Sequence, residues 1–402
     1  MRRVVQAIVA LVLIVGTAGA VPARAASADS GVLRVSLVLT YKYATAPVPS
    51  VAGDENYNGP TPDTTTTHEG SLDVGLNLRL SANARVFAVI SPHARTGEDA
   101  TIEVERLYLD LHDLGMRGLD LRVGRDAIRL GQVGLLLDEV VFDEDRRDGF
   151  QAWIPIGPAR LFAFYQWALD DHTTTRRVWG GRVEAPVFAR WTLGVNYRAD
   201  SAADADMGTC PGTDCAAGSG FSVDLDGTLA PGVVVTLAYA SYTQAGDTAR
   251  VHFQAIAVID LAQTARVKTF EPVVTLWYKT FDPYTMPGGV EAMVPRGNFS
   301  TPDDFRLFNI NDNLTALGAR LQLRVARNVV VFGLGEWGGY KDGGPRFSIF
   351  SAGVKYRPVS NTEIRVSYNT YAVDGGIVTT SAVSGFELAN VSLYFVETSI
   401  NW

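Results

Sequence analysis

The 402-residue chain is acidic, with a formal net charge of −8, which excludes holding nucleic acid or an anionic lipid surface by overall charge. It is 47% hydrophobic and carries 39 glycines, yet after the first 25 residues no continuous apolar run is long enough to cross a bilayer as a helix. If the chain spans a membrane, it must do so as a closed β-barrel, because lipid offers no partner to free N–H and C=O groups.

The first residues read as a secretory signal. Arg2 and Arg3 precede an apolar run from Ile8 to Val15, and Ala23-Arg24-Ala25 supplies a small-residue cleavage site. The expected organisation is a signal peptide over 1–25 and a single domain over 26–402. Loss of Arg2, Arg3 and Arg24 with the signal leaves the remainder more acidic still.

From there the chain alternates apolar and polar residues in short stretches. At 71–80, Leu72, Val74, Leu76, Leu78 and Leu80 interleave with Ser71, Asp73, Gly75, Asn77 and Arg79. Side chains on a strand point to opposite faces with period two, so this pattern suits a wall between lipid and water. Strand cores are expected at 31–45, 69–82, 84–95, 100–112, 118–130, 147–156, 160–170, 174–187 and 190–200. Nine more follow at 218–229, 232–244, 248–260, 265–281, 314–326, 328–340, 345–357, 362–373 and 386–402. The even count fits a bacterial single-chain barrel.

Connections after even-numbered strands are tight, among them Ala82-Asn83, Ala230-Pro231, Ala262-Gln263 and Arg327-Asn328, and belong on the periplasmic side. Those after odd-numbered strands, such as 46–68, 131–146, 201–217, 282–313 and 374–385, are long and polar and belong outside. The fold class is therefore all-β: a closed antiparallel transmembrane barrel of about 18 strands. Tyr41, Tyr43, Trp191, Tyr197, Trp277, Tyr278, Tyr356 and Tyr368 lie where interfacial aromatic girdles belong. The terminal Trp402 resembles the signal read by the barrel-assembly machinery. In the loop 201–217, Cys210 and Cys215 are expected to form a small disulfide.

Alternation also assigns the lumen. It places Arg34, Thr40 and Lys42; Asp73, Asn77 and Arg79; Asn196 and Arg198; Ser222, Asp224 and Asp226; Arg320, Gln322 and Arg324; Lys355 and Arg357; and Glu363, Arg365 and Asn369 inward. Basic residues outnumber acidic ones there, so the acids are expected in loops and turns. A ring of Arg and Lys between low-dielectric walls focuses positive potential and favours anions. The competing reading is that lumen charges pair and leave little selectivity.

The densest constellation runs from strand 4 to strand 6: Arg106, Tyr108 and Asp110, then Arg122, Arg125, Asp126 and Arg129, then a loop containing Leu135, Leu136, Leu137 and Phe142. The apolar phase slips near Glu105 and Gly124, which suggests bulges. So apolar a loop should pack on something, either inside the barrel mouth or on other loops.

This segment, with Leu107-Tyr108-Leu109-Asp110, Leu121-Arg122-Val123-Gly124-Arg125-Asp126 and Arg146-Arg147-Asp148-Gly149-Phe150, resembles the alginate-export family of outer-membrane porins. The resemblance implies an eighteen-stranded barrel with an arginine-rich constriction, and makes Arg125 and Arg147 candidate lumen residues beside Arg122 and Arg129. Asp126 stands where that family has glutamine, and phosphate- and carboxylate-selective porins share a similar glycine-rich strand.

Catalysis has little to stand on. No Gly-x-Ser-x-Gly nucleophile motif occurs, and His172 beside Asp170 and Asp171 is the best candidate pair. No cofactor or metal is expected. The expected role is passive passage of anionic solutes, acidic saccharides or organic acids, with Arg106, Tyr108, Arg122, Arg125, Arg129, Arg147, Arg198, Arg320, Arg324 and Arg365 lining the pore and Tyr108 and Trp153 as stacking surfaces. A general-diffusion channel and a surface structural barrel are the alternatives. The expected partners are outer-membrane lipid, lipopolysaccharide and small anions, around a monomer.

Overall fold

The computed structural model describes residues 33–47, 64–95, 100–131, 133–135, 147–170, 174–201, 217–244, 249–267, 269–282, 314–341, 346–359, 362–373, 378–379, 387–388 and 391–401. The signal segment, the cysteine pair, Trp402 and most of the long external loops lie outside these residues.

Eighteen strands form one antiparallel sheet. In chain order they are β1 (Leu33–Pro47), β2 (Thr64–Arg79), β3 (Ala84–Arg95), β4 (Thr101–Leu111), β5 (Asp120–Asp126), β6 (Arg147–Ile156), β7 (Ala159–Asp170), β8 (Thr174–Phe188) and β9 (Trp191–Asp200). They continue as β10 (Gly218–Ala230), β11 (Val233–Gln244), β12 (Arg250–Asp260), β13 (Val273–Phe281), β14 (Leu314–Ala326), β15 (Val329–Tyr340), β16 (Arg346–Tyr356), β17 (Thr362–Val373) and β18 (Val391–Asn401). Each pairs with its sequence neighbours, and β18 returns to β1 in a ladder from Val38↔Asn401 to Thr45↔Tyr394. The ring of pairings thus has no free edge, which is what a bilayer demands of strands. No described helix is long and apolar enough to cross a membrane.

The registers carry one face around the whole ring. Tyr108 stands opposite Phe87, Arg122 opposite Asp110 and Gln151, Gln151 opposite Phe164, and Asn196 opposite both Arg182 and Ser222. That inner face is polar. The other face carries exposed Ile102, Leu107, Val183, Tyr197, Leu317, Trp337 and Val366, as a lipid-facing surface should.

Four expectations need correction. Strand 5 ends at Asp126, not 130, because the chain leaves the wall there. Strand 13 starts at Val273, not 265, and the expected tight turn at Ala262-Gln263 is a longer segment. It opens with a helical turn, Leu261–Thr264, capped by the Asp260 carboxylate, which accepts from Ala262 N–H and Gln263 N–H. Arg266, Phe270 and Glu271 then adopt positive φ. Trp277 faces inward rather than joining a girdle, since Lys279 on the same face pairs with Glu336 at 2.8 Å and so directs Tyr278 to the lipid side. Finally, only one of the two phase slips is a bulge. The register jumps at Glu105, between Val104 and Arg106, whereas Gly124 stays in register with Tyr108 and Gly149.

Gly124 is there for close approach. Its φ is +128°, and a Cβ at this position would lie 2.2 Å from the Leu107 carbonyl oxygen, so any side chain meets both strain and backbone. A Gly124→Ala barrel should lose about 3 kcal/mol of stability, read as a lower urea midpoint for refolding into lipid vesicles; an unchanged midpoint would contradict the close packing of β4 on β5.

Candidate functional site

After Asp126 the chain turns off the wall and into the barrel. Gln166 on β7 donates from Nε2 to the Asp126 carbonyl oxygen at 3.3 Å and marks the departure. Ile128 and Leu130 then pack with Phe164 of β7, Val178 of β8 and Tyr242 of β11 in a cluster almost fully withdrawn from solvent. Val133 and Leu135 are buried as well. In a barrel the only dry place on the inner side lies between such a segment and the wall, so these residues draw the chain across the lumen by the same apolar burial that fills a soluble core. The sequence left open whether this loop enters the barrel; residues 127–131 and 133–135 do.

A glycine makes the close contact possible. Gly131 has φ +81°, and a Cβ there would sit 2.9 Å from Asp224 Oδ2 and 3.3 Å from Arg182 Nη1. The segment therefore rests on a polar network rooted in β8, β9 and β10. Arg182 donates to Asp224 at 2.5 and 2.8 Å, to Glu184 at 3.0 Å and to Asn196 at 3.0 Å. Asn196 Nδ2 donates to Ser222 Oγ and to Asp224, each at 2.9 Å. Beside it Arg198 pairs with Asp200 at 3.0 Å, and the Tyr242 hydroxyl donates to the same carboxylate at 2.8 Å. Buried charges survive only when paired and hydrogen-bonded in this way.

Between segment and wall a cavity of about 220 Å³ remains, bordered by four arginines, Arg122, Arg129, Arg160 and Arg182, against one carboxylate, Glu184. Trp153 and Phe162, with ring centroids 5.2 Å apart, form its apolar side. Arg122 lies over the Tyr108 ring at 4.1 Å and the Trp153 ring at 5.2 Å, is hydrogen-bonded to Asp126, and reaches Asp110 at 3.4 Å. Arg106 approaches Asp126 at 3.7 Å, and Arg85 pairs with Asp110 at 2.8 Å.

On the far side of the ring Arg320 and Arg365 each stand 5.4 Å from the centre of the inward Phe332 ring. Glu336 accepts from Trp277 Nε1 at 2.6 Å and forms an ion pair with Lys279.

Of the residues expected to line the pore, Arg106, Tyr108, Arg122 and Arg129 come together here, and Arg320 and Arg365 form a second group on the opposite wall. Arg198 faces inward but is sealed under the segment with 0% exposure. Arg324 faces inward at the periplasmic end, paired with Glu271 at 2.8 Å. Arg125 does not belong to the site: it shares its face with Leu107 and Val123 and points outward, because Arg122, Gly124 and Asp126 occupy the inner phase. The Arg147 backbone pairs with Asp126, and its side chain lies outside the described residues. Tyr108 and Trp153 are covered by Arg122 rather than open for stacking. Nor are the acids confined to loops; Asp110, Asp126, Asp200, Asp224 and Glu336 are buried on the inner face.

Sequence reasoning missed Arg160, Arg182 and Glu184. Arg182 and Glu184 alternate with Gly181, Val183 and Ala185, which is a lumen signature, but the glycine pair before them blurs the phase.

Comparison with solved structures gives the same architecture at low identity. Pseudomonas aeruginosa OccK3 (OpdO) superposes with a TM-score of 0.62 at 12% identity, covering 92% of this chain and 95% of that one. The outer membrane protein OpdK of the same organism gives 0.60 at 11% identity, with 92% and 99% covered. Acinetobacter baumannii OccAB1 gives 0.59 at 10%, with 92% and 96% covered. The likeness establishes the fold. No family model and no curated protein matches the chain, so the resemblance to alginate-export porins rests on the 107–150 segment alone.

If the segment narrows the lumen by apolar packing, Leu130→Ala should loosen it at a cost of roughly 2–5 kcal/mol. The expected result is a larger, noisier single-channel conductance in planar bilayers; a conductance equal to the parent's would mean the segment does not obstruct the path.

Proposed function

We propose that the chain is a passive outer-membrane channel for small anionic solutes and carries out no covalent chemistry. The observation that supports this reading is the arginine-rich border of the cavity at the place where the infolded segment meets the wall: Arg122 and Arg182 are paired with Asp126 and Asp224, and Arg129 and the exposed Arg160 add positive charge beside Glu184. Arginine keeps its charge at any working pH and offers a forked donor that matches a carboxylate, so such a lining attracts and orients anions without releasing a proton. Low-dielectric walls strengthen that field.

The size of the cavity narrows the class of solute. At about 220 Å³ it is smaller than the roughly 300–1,000 Å³ of sites for drug-sized ligands, so it suits a small organic acid better than an acidic saccharide. Phe162 would accept an apolar body while Arg160, exposed on the same rim, takes the carboxylate. The alginate-export resemblance carries architecture to this chain and not its polymeric cargo.

One observation favours the runner-up, a channel with little charge preference. Many lumen cations are already paired, as in Arg85–Asp110, Arg198–Asp200 and Lys279–Glu336, and paired charges add little field at a distance.

Reversal potentials across a planar bilayer under a salt gradient separate the two. The parent channel should prefer anions, and an Arg122→Gln/Arg160→Gln variant should lose most of that preference while still conducting. No preference in the parent, or an unaltered one in the variant, would favour general diffusion.

A further inference from the structure

Of the five histidines in the chain, one stands at the periplasmic end. His68, His93 and His252 lie in the outer halves of β2, β3 and β12, and His172 falls in the outer connection between β7 and β8. His112 instead opens the short turn that joins β4 to β5. Its backbone N–H donates to the Asn83 carbonyl oxygen at 2.8 Å, and Asn83 Nδ2 donates to the His112 carbonyl oxygen at 3.1 Å, so the turn between β2 and β3 fixes it from one side. Alternation continued from Asp110 brings the imidazole to the lumen side, with 33% of the side chain exposed.

The ring lies between two carboxylates. Nε2 is 3.3 Å from Asp110 Oδ2, and Nδ1 is 3.3 Å from Asp120 Oδ1. A neutral imidazole has one N–H and one lone pair, so it donates to one of these oxygens while setting its lone pair against the other; only the imidazolium donates to both. Asp120 is held for this contact by the Asp113 N–H, which donates to the same Oδ1 at 3.3 Å, and the Asp113 carboxylate accepts from the Gly118 N–H at 2.6 Å. Among side chains, it is histidine that changes charge between neutral and mildly acidic pH.

Asp110 carries the effect to the cavity. It is buried, and its Oδ2 also accepts from Arg85 Nε and Nη2 at 3.0 and 2.8 Å and from Arg122 Nη2 at 3.4 Å. The Arg122 contact is the longest of these, and the same guanidinium borders the cavity and is hydrogen-bonded to Asp126. Among the described residues the charged groups around the ring are thus Asp110 of β4, Arg85 of β3, Asp120 and Arg122 of β5 and Asp113 of the turn. One oxygen cannot serve four donors equally, so a second proton on His112 draws Asp110 away from Arg122, the donor it holds least closely. The path from imidazole through Oδ2 to guanidinium is shorter than the roughly 8 Å over which physiological salt screens a charge. The added proton therefore raises the positive potential at the cavity twice, by its own charge and by loosening a carboxylate that offsets Arg122.

We infer that His112 is a positioning residue for Arg122 that works by taking up a proton, and that it makes the channel more anion-selective when the periplasmic side turns acidic. The inference rests on the reading of the cavity as part of an anion path, and its measure is a change with pH rather than the starting preference. The sign follows from the charges: acid adds a cation beside Asp110, and alkali removes it.

The test compares reversal potentials of the full-length barrel in planar bilayers with both chambers at about pH 7.5 and then at about pH 5.5. On acidification the anion-to-cation permeability ratio of the parent should rise about two- to threefold more than that of His112→Gln, in which the four outer histidines and every carboxylate still titrate. His112→Lys, with a fixed charge, should show the raised ratio already at the higher pH, and Arg122→Gln should shrink the rise that depends on His112. Heat-modifiable gel mobility reports that each variant is folded. A parent without anion preference at the higher pH would contradict the solute reading alone, because the difference between parent and His112→Gln is still read. Equal pH responses in those two, a His112→Lys ratio equal to that of His112→Gln at the higher pH, or an undiminished rise in Arg122→Gln would each overturn the inference.

Discussion

A peptide group without a hydrogen-bond partner is expensive in hydrocarbon, and the fold follows from avoiding that cost. The ladder between β1 and β18 closes the ring and leaves no edge. Once the ring is closed, each strand has one side in lipid and one toward the lumen, and the sequence must alternate accordingly. The phase of that alternation decides which residues can act on a solute. Arg122 and Arg125 are three residues apart and chemically identical, yet one borders the cavity and the other faces the membrane.

The second consequence concerns where the barrel can place apolar side chains other than in lipid. Ile128 and Leu130 solve this by pressing against Phe164, Val178 and Tyr242 on the inner wall. Covering that part of the wall buries the charges beneath it, and Arg182, Arg198, Asp200 and Asp224 are correspondingly locked in a network that fixes the segment's seat. The charges left at the segment's margin, Arg129 on the segment and Arg122 and Arg160 on the wall, face the cavity instead. One hydrophobic contact thus sorts the lumen cations into structural and accessible groups.

Much of this could be read in the sequence, for physical reasons that also explain the misses. Period-two alternation is a local property, so the eighteen strands and the inward placement of Asn196, Asp224, Arg320 and Arg365 followed from it. Ion pairing is not local. Nothing near Arg182 reveals that Asp224 of β10 will pair with it, and nothing near Arg198 and Asp200 reveals that Tyr242 of β11 will close over them. The departure of β5 did leave a trace: outward Leu121 and Val123 hold odd positions, whereas buried Ile128 and Leu130 hold even ones. That inversion reads equally well as a bulge or as a strand leaving the wall, and only the inner surface of β7 and β8 distinguishes the two. The 261–272 segment was misread because Val267 and Phe270 continue an apolar pattern through a stretch whose positive φ values no strand can hold.

The central claim is that the chain after β5 crosses the lumen and rests on the inner wall. Paired cysteines at Ile128 and Phe164, in a protein whose Cys210 and Cys215 are replaced by serine, test it directly by non-reducing electrophoresis and mass spectrometry of the folded barrel. The account predicts a disulfide that forms on oxidation, and none when cysteine at Ile128 is paired with cysteine at the lipid-facing Phe253. Failure of the first pair to cross-link, with both thiols freely alkylated by a water-soluble maleimide, would contradict it.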